Sequence, residues 1–219
     1  MTKILITRRL PELPFKELEN EFELVWPQES AFSDEEVKEH LKDSDVVVSV
    51  FGNPLKSEAL ESAAQLKLIA NFGAGVDNID VDMATRKGIV VTNTPDPVTE
   101  PTAELAMGLM VDVARRIAEL DRGLRERAIS NWGVMANLST TLQGKTLGII
   151  GMGAIGQALA RRAIAFGMKI IYHNRKQLDP GIEEKYEAKY TDLESLLRNS
   201  DFVSLNMPLT DDTKGMIGM

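Results

Sequence analysis

Short, unbroken apolar runs rich in β-branched residues recur along the chain at Lys3 to Thr7, Val46 to Val50, Leu68 to Phe72 and Ile89 to Thr92, each followed by a helix-like segment. A strand with one wet face alternates apolar and polar residues, whereas a continuous run fits a strand covered on both faces. The pattern therefore predicts a parallel sheet with helices packed on it. Helix starts are readable too. Ser33 stands before Asp34-Glu35-Glu36 as a capping box, and Ser57 and Asp80 are candidate N-caps.

From Thr99 the pattern changes to one long helical stretch, with Leu105, Leu109, Val113, Ile117 and Leu120 at helical spacing and Pro101 in its first turn. This predicts a connector between two domains. After Asn131-Trp132-Gly133 the alternation resumes, with strands over Thr146 to Ile150, Lys169 to His173 and Phe202 to Asn206. Helices are predicted over Ala154 to Phe166 and Asp192 to Arg198, the second opened by a Thr191–Glu194 capping box. Gln177 to Glu184 reads as a loose linker.

Composition narrows the function classes. With 43% hydrophobic residues the chain can build a core, and a net charge of -8 argues against nucleic acid or an anionic membrane as partner. The absence of cysteine excludes disulfides, thiolate metal sites and cysteine nucleophiles, and no metal site is expected. No apolar stretch approaches the roughly 18 residues of a membrane span, and the expected location is the cytoplasm.

The sharpest local motif is Gly151-Met152-Gly153-Ala154-Ile155-Gly156, directly after the strand Leu147-Gly148-Ile149-Ile150 and opening a helix. In such a turn the first glycine allows the tight bend, the second lets a pyrophosphate approach the backbone, and the third lets helix and strand pack closely. The amides of Ala154, Ile155 and Gly156 and the helix dipole then favour the phosphates. A glycine-rich turn without a ligand is the other reading of these residues. Asn174 occupies the position, roughly 20 residues on, where an Asp or Glu would bind the ribose hydroxyls and repel a 2′-phosphate. Asn174 lacks that charge, and Arg175 and Lys176 add two cations, which favours NADP over NAD. Ordinary solvated loop charges beside an Asn that accepts NAD are the alternative.

Four motifs resemble the D-isomer-specific 2-hydroxyacid dehydrogenase family, in matching order and spacing. They are Asn71-Phe72-Gly73-Ala74-Gly75-Val76-Asp77-Asn78-Ile79-Asp80, Val91 to Pro95, Thr99 to Leu105 and Leu142 to Gly151. Asn174-Arg175-Lys176 is most similar to the glyoxylate and hydroxypyruvate reductase branch. The resemblance implies a flavodoxin-like substrate domain over residues 1–98, without its returning C-terminal helix, and a partial Rossmann dinucleotide-binding domain over 99–219. It implies that the amides of Gly73, Ala74 and Gly75 hold the substrate carboxylate, which suits an anion nest of backbone donors. A turn whose glycines only supply positive φ, with Asp77 and Asp80 capping the next segment, remains the plainer alternative. Val76 and Thr102 are implied beside the nicotinamide, and Met207, Pro208 and Thr213 beside the cofactor. Trp132 resembles a tryptophan that can reach a partner subunit, with a packing role equally open; Met107, Met110 and Met135 read as core or interface filling, and the full-length protein is expected to be a homodimer.

Reduction of a keto acid needs a cation on the carbonyl and a proton donor, usually a histidine held by a carboxylate. His40 and His173, the two histidines, read as bystanders. The resemblance puts the substrate-binding Arg and the Glu–His pair beyond the segment Met207 to Ile217, so the chain is expected to stop before its catalytic residues, with three of about six Rossmann strands. Two functions fit this pattern. One is an NAD(P)-dependent oxidoreductase interconverting a small 2-keto acid and a D-2-hydroxy acid, of glyoxylate or hydroxypyruvate type; the other is a non-catalytic dinucleotide-binding or interaction protein on the same fold. Phe51 and Asn71, read as cleft-entrance side chains, hint only at substrate shape.

Overall fold

A computed structural model describes residues 1–50, 52–129, 133–210 and 212–218, so the expectations for Phe51 and Trp132 lie outside the described residues. The chain divides into two compact units, Met1–Val98 and Thr99–Met219.

The first unit is a five-stranded parallel sheet of β1 (Thr2–Ile6), β2 (Phe22–Val25), β3 (Val46–Val50), β4 (Leu68–Phe72) and β5 (Val90–Thr92), in the order β2-β1-β3-β4-β5. This is the flavodoxin-like order, in which the winding reverses between β1 and β3. Leu5, Val47 and Ile69 of the central strands are fully buried against Leu41 of α1 (Asp34–Leu41), Leu60 of α2 (Ser57–Ser62) and Ala84 of α3 (Val81–Arg86). The Ser33–Glu36 capping box is present in both directions, and Asp80 accepts from Met83 N at 2.9 Å. Ser57 is not a cap. Lys56 precedes the helix, and the Ser57 hydroxyl donates to the Asp80 carboxylate, so it joins α2 to α3 instead of satisfying its own helix.

The second unit opens on two helices, α4 (Asp96–Arg115) and α5 (Ile117–Arg125), where the apolar spacing predicts one. Arg116 takes a left-handed conformation between them at φ 56°, and the Asp112 carboxylate accepts Ala118 N at 2.7 Å, capping the new helix. Pro101 sits inside α4, past its first turn, because the helix starts three residues before Thr99. Ala103 and Met107 are buried and Met110 packs beside them, but Met135 is 79% exposed.

Their buried face joins the core of a four-stranded parallel sheet of β6 (Thr146–Ile150), β7 (Lys169–His173), β8 (Ala188–Tyr190) and β9 (Phe202–Leu205), in the order β8-β7-β6-β9. Four strands replace the three expected. The extra one follows a helix, α7 (Pro180–Lys185), in the stretch that reads as a linker. Helix α6 (Ala154–Ala165) buries Leu159, Ala160 and Ala163 against this sheet, as half a Rossmann fold requires. Helix α8 (Leu193–Asn199) is capped by Asp192, which accepts Ser195 N at 2.9 Å, one residue later than the Thr191 box predicts. Among the described residues no helix is long and apolar enough to cross a membrane.

Helix α8 seats on β6 through Gly148. A Cβ added there would stand 2.6 Å from Leu196 Cδ2 and closer still to the Ser200 hydroxyl. Gly148→Ala is therefore expected to cost about 1–3 kcal/mol through overpacking, read as a lower urea midpoint. An unchanged midpoint would show that α8 has room to move.

Candidate functional site

The glycine turn after β6 separates into three jobs. Gly151 has φ +92°, and its N–H donates to His173 O at 3.0 Å. A Cβ there would lie 2.6 Å from Met207 N and 2.8 Å from the Asn206 carbonyl carbon, so the chain leaving β9 crosses directly against it. At Gly156 a Cβ would lie 2.6 Å from Gly151 O, which holds the helix tight on the turn. Gly153 differs from both. Its φ of -83° and ψ of -153° lie in extended space open to other residues, and an added Cβ would meet nothing within 4 Å. Neither a left-handed backbone nor protein packing calls for a glycine here, and the space beside it is open.

Gly153 is also the N-cap of α6 and offers no side-chain cap. The first intrahelical bond runs from Gln157 N to Gly153 O at 2.9 Å, leaving the amides of Ala154, Ile155 and Gly156 as the free first-turn donors of a twelve-residue helix. Met152 N is committed elsewhere: it donates to Asn174 Oδ1 at 2.7 Å. The residue expected to read a ribose thus also ties the end of β7 to the glycine turn.

Arg175 and Lys176 come next, exposed and without an ion pair to any described residue. Their segment is pinned at its far end, because Leu178 N donates to the Tyr172 hydroxyl at 2.9 Å and that hydroxyl donates to Glu183 Oε1 at 2.7 Å. Burial, with the Glu183 carboxylate beside it, pushes the Tyr172 phenol up to about 12. Gln177 donates to the same carboxylate. This network explains why the supposed linker is ordered.

After β9, Met207 passes over Gly151, and Thr213 closes a turn by donating to Pro208 O at 2.8 Å and accepting Thr210 N at 2.7 Å. Thr102 is exposed on α4.

In the first unit, the turn after β4 is held by its carbonyls. Asn71 Nδ2 donates to Gly73 O at 3.2 Å and Gly75 O at 2.7 Å, Asn93 Nδ2 to Ala74 O at 2.8 Å, and Thr94 N to Gly73 O at 3.0 Å. A trans peptide sets its N–H opposite its C=O. Three carbonyls taken up by the protein therefore turn the amides of Ala74, Gly75 and Val76 away from those contacts. Gly73 N, one of the three amides expected as donors, is spent on Asn71 O at 3.0 Å. Gly75 has no positive φ, so the plainer explanation of that glycine does not hold. Asn71 itself is 4% exposed, a support beneath the turn and not a cleft-entrance side chain. Spacing in the sequence draws attention to the glycines of this turn and not to Asn71, whose part rests on contacts to carbonyls two and four residues on.

Neither histidine is idle. The His40 ring lies 4.8 Å from that of Phe32, and His173 Nδ1 faces Thr191 O at 3.0 Å. No group of three metal-ligating side chains occurs among the described residues.

Residues 107–219 match the family described as D-isomer specific 2-hydroxyacid dehydrogenase, NAD binding domain. A glyoxylate reductase of Thermococcus litoralis is 44% identical over 99% of this chain and 66% of its own length. The crystal structure of a glyoxylate reductase from Paecilomyes thermophila superposes with a TM-score of 0.87 at 34% identity, covering 99% of this chain and 68% of that one. D-lactate dehydrogenase from Aquifex aeolicus, solved with NAD and lactic acid, gives a TM-score of 0.82 at 26% identity over 97% of this chain and 62% of that one. The chain thus spans about 66% of the length of the curated relative named first.

The glycines should respond differently to substitution. Gly151→Ala and Gly156→Ala, which press a methyl group into backbone, are expected to lower stability by about 1–3 kcal/mol, while Gly153→Ala leaves the melting temperature nearly unchanged. Equal losses at all three positions in thermal melts would remove the distinction.

Proposed function

The chain belongs to the D-isomer-specific 2-hydroxyacid dehydrogenase family, and we propose that it serves NAD(P)-dependent interconversion of a small 2-keto acid and its D-2-hydroxy acid, of glyoxylate or hydroxypyruvate type. The observation that carries this is Gly153, a glycine that neither packing nor backbone demands, at the uncapped start of α6. Residues 1–98 take the role of substrate domain and residues 99–219 that of dinucleotide-binding domain.

In this reading the amides of Ala154, Ile155 and Gly156 hold the cofactor pyrophosphate, aided by the positive end of the helix. Gly151 and Gly156 keep those amides in place. Met207, Pro208 and Thr213 border the cofactor on the β9 side, and Val76 and Thr102 are assigned to the nicotinamide by family likeness. The cofactor, when bound, supplies or accepts the hydride. The amides of Ala74, Gly75 and Val76 grip the substrate carboxylate, so orientation of the keto carbon is set by backbone and not by a titrating side chain. The hydride step also needs a cation at the keto oxygen and a proton donor. Neither His40 nor His173 is assigned to it, given the contacts each already makes.

NADPH is the preferred cofactor in this reading. Asn174 carries no charge to repel a 2′-phosphate, and Arg175 is an exposed guanidinium, unpaired among the described residues, suited to a bidentate contact with it. Cytoplasmic location is proposed from composition alone.

A homodimer is proposed through the outer face of α4 and α5. Leu105, Leu109 and Val113 lie at helical spacing on one face of α4 and are each more than half exposed, and Ile117 and Leu124 of α5 are exposed as well.

Two measurements test these assignments. Arg175→Ala is expected to weaken NADPH binding by about 1.5–3 kcal/mol and to spare NADH; equal losses by calorimetry would remove the role given to Arg175. Leu109→Asp is expected to turn a dimer into a monomer in light scattering, and a wild-type monomer would end the dimer proposal.

A further inference from the structure

Residues 69 and 71 of β4 share one face of the sheet, because side chains alternate along a strand. Ile69 is fully buried in the core on that face, and Asn71, at 4% exposure, stands where the next apolar residue would pack. A buried carboxamide costs free energy unless all its polar atoms are bonded. Here both ends are engaged. Asn71 Nδ2 donates to Gly73 O and Gly75 O, and Oδ1 accepts from Asn78 Nδ2 at 3.3 Å. Asn78 in turn donates to the hydroxyl of Ser49, fully buried on β3, at 3.0 Å.

One nitrogen therefore holds two carbonyls two residues apart. Those carbonyls belong to the peptide planes that carry the Ala74 and Val76 amides, so a single side chain fixes the outer two donors of the turn relative to each other. Asn93 and Thr94 hold Ala74 O and Gly73 O one at a time and cannot set that spacing. We propose that Asn71 is a positioning residue for substrate: through Gly73 O and Gly75 O it presets the Ala74, Gly75 and Val76 amides to converge on a carboxylate. The inference rests on reading this turn as the carboxylate site. Binding of a carboxylate then requires little reordering of the turn, since its backbone is already held.

Asn71→Leu is close in volume and removes both donors. Asn78→Ala leaves those donors but frees the other end of the carboxamide. The full chain, labelled with ¹⁵N, is titrated with pyruvate, with NADPH binding and the melting temperature measured alongside. In the wild type the Ala74, Gly75 and Val76 amide signals are expected to move on titration. Asn71→Leu is expected to weaken pyruvate at least tenfold and Asn78→Ala about threefold, with NADPH affinity unchanged in both. If pyruvate moves none of the three wild-type amides, the carboxylate reading fails and takes this inference with it. If the wild-type amides respond and Asn71→Leu binds pyruvate equally well, the role of Asn71 alone fails, including when the melting temperature falls. Should Asn71→Leu not fold, Asn78→Ala decides, and an unchanged pyruvate affinity in it overturns the proposal.

Discussion

The backbone of Gly151 lies against the backbone of Asn206 and Met207, closer than any side chain would permit. That approach depends on parallel registry: β6 pairs with β7 from Thr146 to Ile150 and with β9 from Leu147 to Ile150, so the ends of three strands arrive together. The chain must then turn within a few residues to begin α6. Gly151 supplies the bend and Gly156 lets the helix return onto it. The position of the α6 amides is thus a consequence of strand registry. A residue with a side chain at position 151 would push Met207 outward and loosen the whole carboxyl edge.

The first unit meets the same problem at the end of β4 by other means. A strand end in a parallel sheet leaves peptide groups that no neighbouring strand satisfies, and buried groups of that kind are expensive. Gly73, Ala74 and Gly75 receive side-chain amides from Asn71 and Asn93 and a backbone amide from Thr94. Satisfying carbonyls on one side leaves donors on the other. Both units therefore carry backbone N–H groups at a carboxyl edge, one through a helix start and one through a held turn.

How much of this is legible in the sequence depends on where the stabilisation lies. β3, β4, β6 and β7 are readable to the residue because a parallel strand buried on both faces is built mainly from apolar and β-branched residues. β2 and β8 are short edge strands, and a run such as Ala188-Lys189-Tyr190 carries no such signal. Helix α7 is hidden for a different reason: the hydrogen bonds from Tyr172 and Gln177 to Glu183 that order its surroundings come from the preceding strand and loop. The break at Arg116 likewise depends on Asp112 reaching Ala118. In the candidate site the glycines announce themselves by spacing. Asn71 does not, because a hydrogen bond to a carbonyl two or four residues on leaves no periodic trace.

Those contacts to Glu183 bear on the loop after β7 as well as on α7. The chain has 33 acidic and 25 basic residues, and α7 carries Glu183 and Glu184 against Lys185. Glu183 is occupied by the neutral donors of Tyr172 and Gln177. Arg175 and Lys176 carry no ion pair among the described residues. Their reach is short, since exposed charges are screened over about 10 Å at 0.1 M salt, and the chain's overall negative charge opposes any anion at longer range. On the proposed role of Arg175, discrimination between the two nicotinamide cofactors is expected to weaken as salt is added. The pyrophosphate contacts proposed for α6 should be less so, because backbone amides at a helix start offer fixed hydrogen-bond geometry and not an exposed, mobile charge.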